Sequence, residues 1–233
     1  MVVVRSRIKL FAENLRSNKL LASVAFIFLI VWGWTLFGAR DTTDWMLENI
    51  PVLFVVSLLV LTHKKYPLSN FSYIILFLYI SLHLYGAKHI YAENPLGLWL
   101  KEIFHTRRNN YDRIIHFIFG LTLANPLYEV FFRYFKFGKL LSLIFPVVFC
   151  LALGAFYEIL EWVITDFFFP EQGTNFLGSQ GDIWDAQKDM ILGTLGAAAT
   201  VIFIYLISKV KELKPSINLY IPRTIQHSFN LKS

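Results

Sequence analysis

The sequence is poor in charge. Of its 233 residues, 16% are Asp, Glu, Lys or Arg, whereas soluble domains carry about 25%. That leaves too little charged surface for a water-soluble domain or for a nucleic-acid-binding one. There is one cysteine, Cys150, set in an apolar run, so neither a disulfide within one chain nor a cysteine metal site can form. The sequence also lacks the HExxH zinc helix, the GxSxG nucleophile elbow, the phosphate-binding P-loop and a Ser-Gly-His phosphatase pattern. Those absences argue against the chemistries that the motifs serve. Internal repeats, low-complexity tracts and a second domain are absent as well.

What is present in excess is apolar. Hydrophobic residues make up 56% of the chain and aromatic ones 17%, with 23 Phe, 11 Tyr and 6 Trp. Apolar stretches of about 18 residues or more are long enough to cross a bilayer as helices. Six occur, at residues 20–38, 45–62, 67–87, 113–132, 140–165 and 189–207. The expected fold is an all-α, polytopic membrane helix bundle with about six transmembrane helices. Three parts follow: a basic interfacial segment over 1–19, the six-span domain over 20–207 and a cytoplasmic tail over 208–233. In the first, Ile8, Phe11 and Leu15 fall at helical spacing among basic residues, as in a helix lying on an anionic leaflet. The first span is long and late for a cleaved signal peptide, and more spans follow it.

The net charge of +6 comes mostly from one side of this topology. An N-in, C-in orientation leaves only Arg40, Lys88, Lys101, Arg107, Arg108, Arg113 and Lys188 outside, of 22 basic residues. The positive-inside rule selects that orientation. Acids go the other way, with only Glu13, Glu129 and Glu212 on the inner side. Glu129 belongs near the cytoplasmic end of the fourth span, with Arg133 one turn on as a partner. The outer loop 88–112 holds Leu96, Leu98, Trp99, Leu100, Ile103 and Phe104, and is expected to fold back onto the membrane surface.

The outer ends of four helices collect carboxylates and imidazoles. Asp112 and His116 are spaced i, i+4; Glu158 and Glu161 are spaced i, i+3; Asp182, Asp185 and Asp189 follow at i, i+3, i+7; His83 and His89 close the third span. Each has an ordinary structural use. Asp112, Asp182 and Asp185 suit helix N-termini, His116 suits a satisfied bundle histidine, and Lys188 suits an ion pair with a nearby acid. Gly193, Gly196 and Ala197 suit close helix contact. Taken together they form a candidate site, because crowded acids repel in apolar surroundings and are relieved by a proton or a cation. Candidate metal ligands are Asp112, His116, Glu158, Glu161, Asp182, Asp185 and Asp189. A divalent cation is the cofactor such oxygen-rich ligands with an imidazole would take. His116 and Glu161 are the candidate general bases.

Several stretches resemble the YjdF family of bacterial inner-membrane proteins. They are the run from His83 through Gly86 to Ala87, Arg108-Asn109 with Tyr111-Asp112-Arg113, and His116-Phe117 with Gly120. Tyr157-Glu158 with Glu161-Trp162, and the long run from Phe176 through Gln180, Asp182, Trp184, Asp185 and Gln187 to Met190, complete the set. The resemblance covers residues 75–200. Thr usually stands in the family where this chain has Ser179 and Ala186, and Trp often stands where it has Lys188. A looser similarity, through the Asp112 to Phe117 pattern, is to VanZ-like membrane proteins. The resemblance implies a multi-pass protein of a bacterial cytoplasmic membrane and supplies no reaction. Polar positions of these motifs, His83, Arg108, Asp112, Arg113, Gln180 and Gln187, are candidate ligand contacts.

Three functions fit. The cluster could hold a divalent cation and, with Arg107, Arg108 and Arg113, the phosphate of a lipid or isoprenoid carrier. It could instead be a polar network that holds helices together in a structural or interaction protein. It could serve a small cation or proton-coupled carrier, although no inverted repeat is visible and no acid falls near the midplane. The bilayer is the expected partner in every case, and nucleic acid in none.

Overall fold

The computed structural model describes residues 18–168 and 179–219, with side chains to residue 209. Residues 1–17 of the expected interfacial segment over 1–19, the loop at 169–178 and the tail beyond 219 lie outside the described residues. Seven α-helices follow in order: α1 Lys19–Leu36, α2 Thr42–Thr62, α3 Asn70–His89, α4 Pro95–Phe104, α5 Tyr111–Glu129, α6 Lys139–Val163 and α7 Asp185–Leu219. There is no strand among the described residues. Six helices are long and apolar enough to cross a membrane; α5 and α6 extend through single π-helical turns to Tyr134 and Phe168. The expected spans are therefore found, displaced at their ends by a few residues. The backbone of α7 runs on to Leu219, well into the segment read as tail.

Side-chain caps set several of the helix starts. The Asn18 side chain accepts from Leu21 N, Asp41 from Thr43 N and Asp44 N, and Ser69 from Ser72 N. Each satisfies backbone donors that have no partner within the helix. Pro51, Pro126 and Pro146 stand inside spans, where neighbouring helices and local π adjustment accommodate a missing donor. The π-turn Val130–Tyr134 follows Pro126 by one turn.

Phe26, Phe54, Leu140, Phe156 and Phe203 are exposed on the outside of the bundle. Large apolar side chains on spanning helices face lipid in this way. Inside, Leu21, Phe28, Val52, Tyr73, Phe77, Ile80 and Leu84 knit α1, α2 and α3. A second core, Ala124, Cys150 and Ala197, joins α5, α6 and α7 with small side chains. The most extensive helix pair is α5 with α7. Glycine makes it close: a Cβ at Gly120 would lie 1.7 Å from Gly193 O, and one at Gly196 would lie 2.0 Å from Phe117 O. Thr200 Oγ1 also donates to Leu121 O at 2.6 Å. Packing of small residues brings membrane helices together in this manner. It fixes His116 on α5 against the top of α7.

The two faces of the bundle differ. One carries Lys64, Lys65, Arg133, Lys136 and Lys139; the other, the site face, carries the acid- and histidine-bearing helix ends. On the basic face Glu129 accepts from Ser69 N at 2.8 Å, from the Ser69 and Ser72 hydroxyls, and from Arg133 at 3.3 Å. It ties the start of α3 to the end of α5. The Arg133 pairing is the one its spacing predicts, and the residue stands apart from the site.

On the site face Lys88 is buried. Its ammonium donates to Trp34 O at 3.2 Å and to Phe37 O, and sits 4.6 Å from the Trp34 ring centre. A cation on the final carbonyls of α1 is favoured by the helix dipole. Lys88→Met should leave those carbonyls without their donor and lower stability by about 1–3 kcal/mol. Denaturant or thermal unfolding in detergent checks this.

Candidate functional site

The site is assembled where α2, α3, α5, α6 and α7 end or begin on the site face. Helical spacing puts Asp112 and His116 on one face of α5. His116 Nε2 lies 3.5 Å from Asp112 Oδ1 and 3.5 Å from Glu158 Oε1, which α6 supplies. The first turns of α7 add Asp189. One ligand atom each from Asp112, His116 and Asp189 can be chosen so that all lie within 4.8 Å of one another. Asp189 is 2% exposed, and its Oδ1 accepts no hydrogen bond; neither does Glu158 Oε1.

Beside this triad lies a second group. Glu48 of α2 is 3% exposed and accepts from the Tyr157 hydroxyl at 2.8 Å. His83 Nε2 is 2.9 Å from the Glu48 carbonyl oxygen and 3.5 Å from Glu48 Oε2, and His83 Nδ1 is 2.7 Å from the Tyr91 hydroxyl. A carbonyl only accepts, so Nε2 carries the proton and Nδ1 accepts from Tyr91. Burial pushes the Tyr91 phenol well above its ordinary value, with Glu48 adding to the effect, so it stays a donor. Both His83 nitrogens are thus used within the protein. Glu161 is buried and within electrostatic reach of Glu158, Glu48 and Asp112. Asp44, 1% exposed, leaves Oδ1 without a donor and is in electrostatic reach of Glu48 and Asp41.

A third group clasps the mouth. Arg108 binds Asp185 through both terminal nitrogens, one of them at 3.2 Å. Arg113 reaches Asp182 at 2.5 Å and Asp185 at 3.2 Å, and Lys188 reaches Asp182 at 2.5 Å. Gln180 and Asn109 exchange two hydrogen bonds: Gln180 Nε2 donates to Asn109 O at 2.8 Å and Asn109 N donates to Gln180 Oε1 at 2.9 Å. The Lys188 ammonium, followed by the Trp184 N–H, holds the Asp182 carboxyl far below its usual range. A depressed carboxylate contributes fully above the ordinary carboxylate value, and that contribution is lost progressively as pH falls from there to the folded value. These ion pairs should therefore survive mild acid.

The candidate residues thus divide. Asp112, His116, Glu158 and Asp189 meet, with Glu161 alongside. Asp182 and Asp185 are taken by Arg108, Arg113 and Lys188, as the ion-pair reading of Lys188 expected. Gln180 is part of the clasp, and Gln187 is exposed in the first turn of α7. Sequence reading passed over Asp44 and Glu48, although both are acids at i, i+4 where a span begins. That is the signal that could have found them. It also gave no role to Tyr91, whose place depends on the path of the loop after α3.

The charge balance separates the site from the clasp. Glu48, Asp112, Glu158 and Asp189 lie within electrostatic reach of the His116 imidazole, with Glu161 beside Glu158, while the nearby guanidinium groups already hold Asp182 and Asp185. Ionised carboxylates so close in a low dielectric repel strongly, and a bound cation or shared protons remove that repulsion.

Fold and site together define a polytopic α-helical membrane protein with an acidic cluster at one face. The chain belongs to the family described as "Predicted membrane protein (DUF2238)", whose pattern matches residues 20–210. It is 35% identical over 187 residues to the inner membrane protein YjdF of Escherichia coli (strain K12), covering 79% of this chain and 88% of that protein. No solved structure matches the chain. It is a multi-pass protein of the inner membrane, as the sequence resemblance implied.

Proposed function

We propose that this is a cation-binding membrane protein whose site face is periplasmic. Asp112, His116 and Asp189 would hold one divalent cation there, with Glu158 supplying a further oxygen. The observation that carries the reading is the triad itself: three potential ligand atoms within 4.8 Å, one from a buried carboxylate with an unbonded oxygen. Cation–ligand distances of about 2.0–2.6 Å require ligand atoms about 3–5 Å apart. Two carboxylates and an imidazole neutralise a divalent charge and suit Mn²⁺, Mg²⁺, Ca²⁺ or Zn²⁺. Three protein ligands also leave positions for water or for an oxygen of an entering molecule. With His116 turned to the cation, Glu161 is the group available for proton transfer.

Two of the three arginines that a lipid phosphate at the cluster would need, Arg108 and Arg113, are engaged by Asp182 and Asp185. The geometry accordingly favours a cation over a phosphate as the primary ligand. The same ion pairs favour a helix-holding role for those two aspartates.

Mn²⁺ tests the reading. Titrated into detergent-purified protein, it should lose its free EPR signal with a stoichiometry near one, and the bound ion should show nitrogen coupling from His116. His116→Gln should abolish that coupling, and Asp189→Asn should abolish tight binding. Binding that survives both substitutions would sink the assignment.

A further inference from the structure

The loop 88–112 contains an element that the cation site does not use. Its helix α4 is amphipathic in a particular way. At 100° per residue, Leu96, Trp99, Leu100, Ile103 and Phe104 fall on one side, while Lys101 and Glu102 fall on the other with Leu98 between them. The apolar side is bare: Leu96 is 41% exposed, Trp99 55%, Ile103 49% and Phe104 70%. Gly97, by contrast, is buried against Asn109, where a Cβ would lie 1.8 Å from Asn109 Oδ1.

The helix is held at a definite level. It starts six residues after α3 ends and stops seven before α5 begins, so both flanks are span ends of the same face. Asn94 caps its start, accepting from Leu96 N and Gly97 N. Asn109 Nδ2 donates to Ala92 O and Asn94 O, each at 3.1 Å, and the Tyr111 hydroxyl donates to Leu82 O at 2.7 Å. These bonds pin the loop to the ends of α3 and α5. The stripe therefore lies at the level of the span ends on the site face.

We infer that α4 is an interfacial helix whose Leu96–Trp99–Ile103 stripe is seated among the acyl chains and glycerol groups of the adjoining phospholipid leaflet. A short helix with aromatic and aliphatic residues on one side and charge on the other partitions to that depth. Trp at the boundary fits the aromatic belt. Lys101, His105 and Arg107 follow on the polar side and at the helix end, where phosphate groups would meet them. Lipid is favoured as occupant because both flanks of the helix run into spans long and apolar enough to cross a membrane, and because the neighbouring Lys101, His105 and Arg107 complement anionic lipid phosphates. Through Gly97 and Asn109 the helix also belongs to the unit that holds Gln180, so its lipid contact and the clasp share one hydrogen-bonded frame.

Site-directed spin labelling of the full chain in phosphatidylethanolamine/phosphatidylglycerol vesicles tests this. Cys150→Ala leaves no native cysteine, and labels are placed at Trp99→Cys, Ile103→Cys and Glu102→Cys, with Leu96→Cys as a further stripe position. The ratio of collision with oxygen to collision with a water-soluble nickel chelate should be several-fold higher at 96, 99 and 103 than at 102. Equal ratios at all four would mean that the helix stands in water and would overturn the inference. Stripe labels shielded from both reagents would overturn it too, since a protein surface would then cover them.

Discussion

Gly120→Val is expected to prevent accumulation of correctly packed protein. A Cβ there meets the backbone carbonyl oxygen of Gly193 at 1.7 Å, and ordinary contact begins at 3.4 Å. Backbone within a helix cannot swing aside as a flexible side chain can, so α5 and α7 must part. Overpacking of this kind costs about 1–3 kcal/mol and more where nothing yields; here the upper end is expected. The same separation would pull Asp189 away from Asp112 and His116, so cation binding should fall together with stability. Gly196→Val should behave alike, against Phe117 O at 2.0 Å. Gly33→Val is the control, because no atom lies within 4 Å of its added Cβ. Thermal unfolding and monodispersity in detergent read all three. Stable, monodisperse Gly120→Val protein would mean that α5 and α7 do not pack this closely.

Asp185→Ala and Asp189→Asn should act in opposite directions, although the two acids stand one turn apart on α7. Asp185 is the bidentate partner of Arg108 and a second partner of Arg113, with side-chain exposures of 7%, 12% and 21%. Removing one member of a largely buried ion pair leaves charge behind and costs about 3–5 kcal/mol. A double-mutant cycle with Arg108→Met should show strong coupling, since contacting charges are not additive. Asp189→Asn does the reverse. In metal-free protein it removes one of several mutually repelling carboxylates, so stability should hold or rise, while affinity for a divalent cation falls. Chemical unfolding with and without Mn²⁺ distinguishes the two. Equal destabilisation by both substitutions would place Asp189 in the clasp and leave the triad without its key ligand.

The sequence made the membrane spans legible because bilayer thickness imposes a length on apolar runs that needs no tertiary information. The helix ends followed from local residues: Asn18, Asp41 and Ser69 cap as their types suggest. The meeting of Asp112 and His116 was also legible, being a matter of helical spacing alone. The sorting of acids was not. Asp182, Asp185 and Asp189 look alike in the chain, and the positions of Arg108 and Arg113 across the mouth, with Lys188 on Asp182, decide which are neutralised. Glu48 escaped notice for the related reason that its partners, Tyr157 and His83, come from α6 and α3. Spacing within one helix shows which residues share a face, but which helix that face meets depends on packing. Here the packing turns on the absence of side chains at Gly120 and Gly196.

The central claim is that the carboxylates left outside the clasp are organised around a cation. It is tested most directly by the metal content of detergent-purified protein after equilibrium dialysis against Mg²⁺, Ca²⁺, Mn²⁺ and Zn²⁺ in turn. Wild type and Asp189→Asn would be compared, with Glu102→Gln as an exposed acid on the same face. One divalent ion per chain in wild type and Glu102→Gln, lost in Asp189→Asn, is the predicted result. An absence of bound metal in folded wild type, or equal metal in all three proteins, would contradict it.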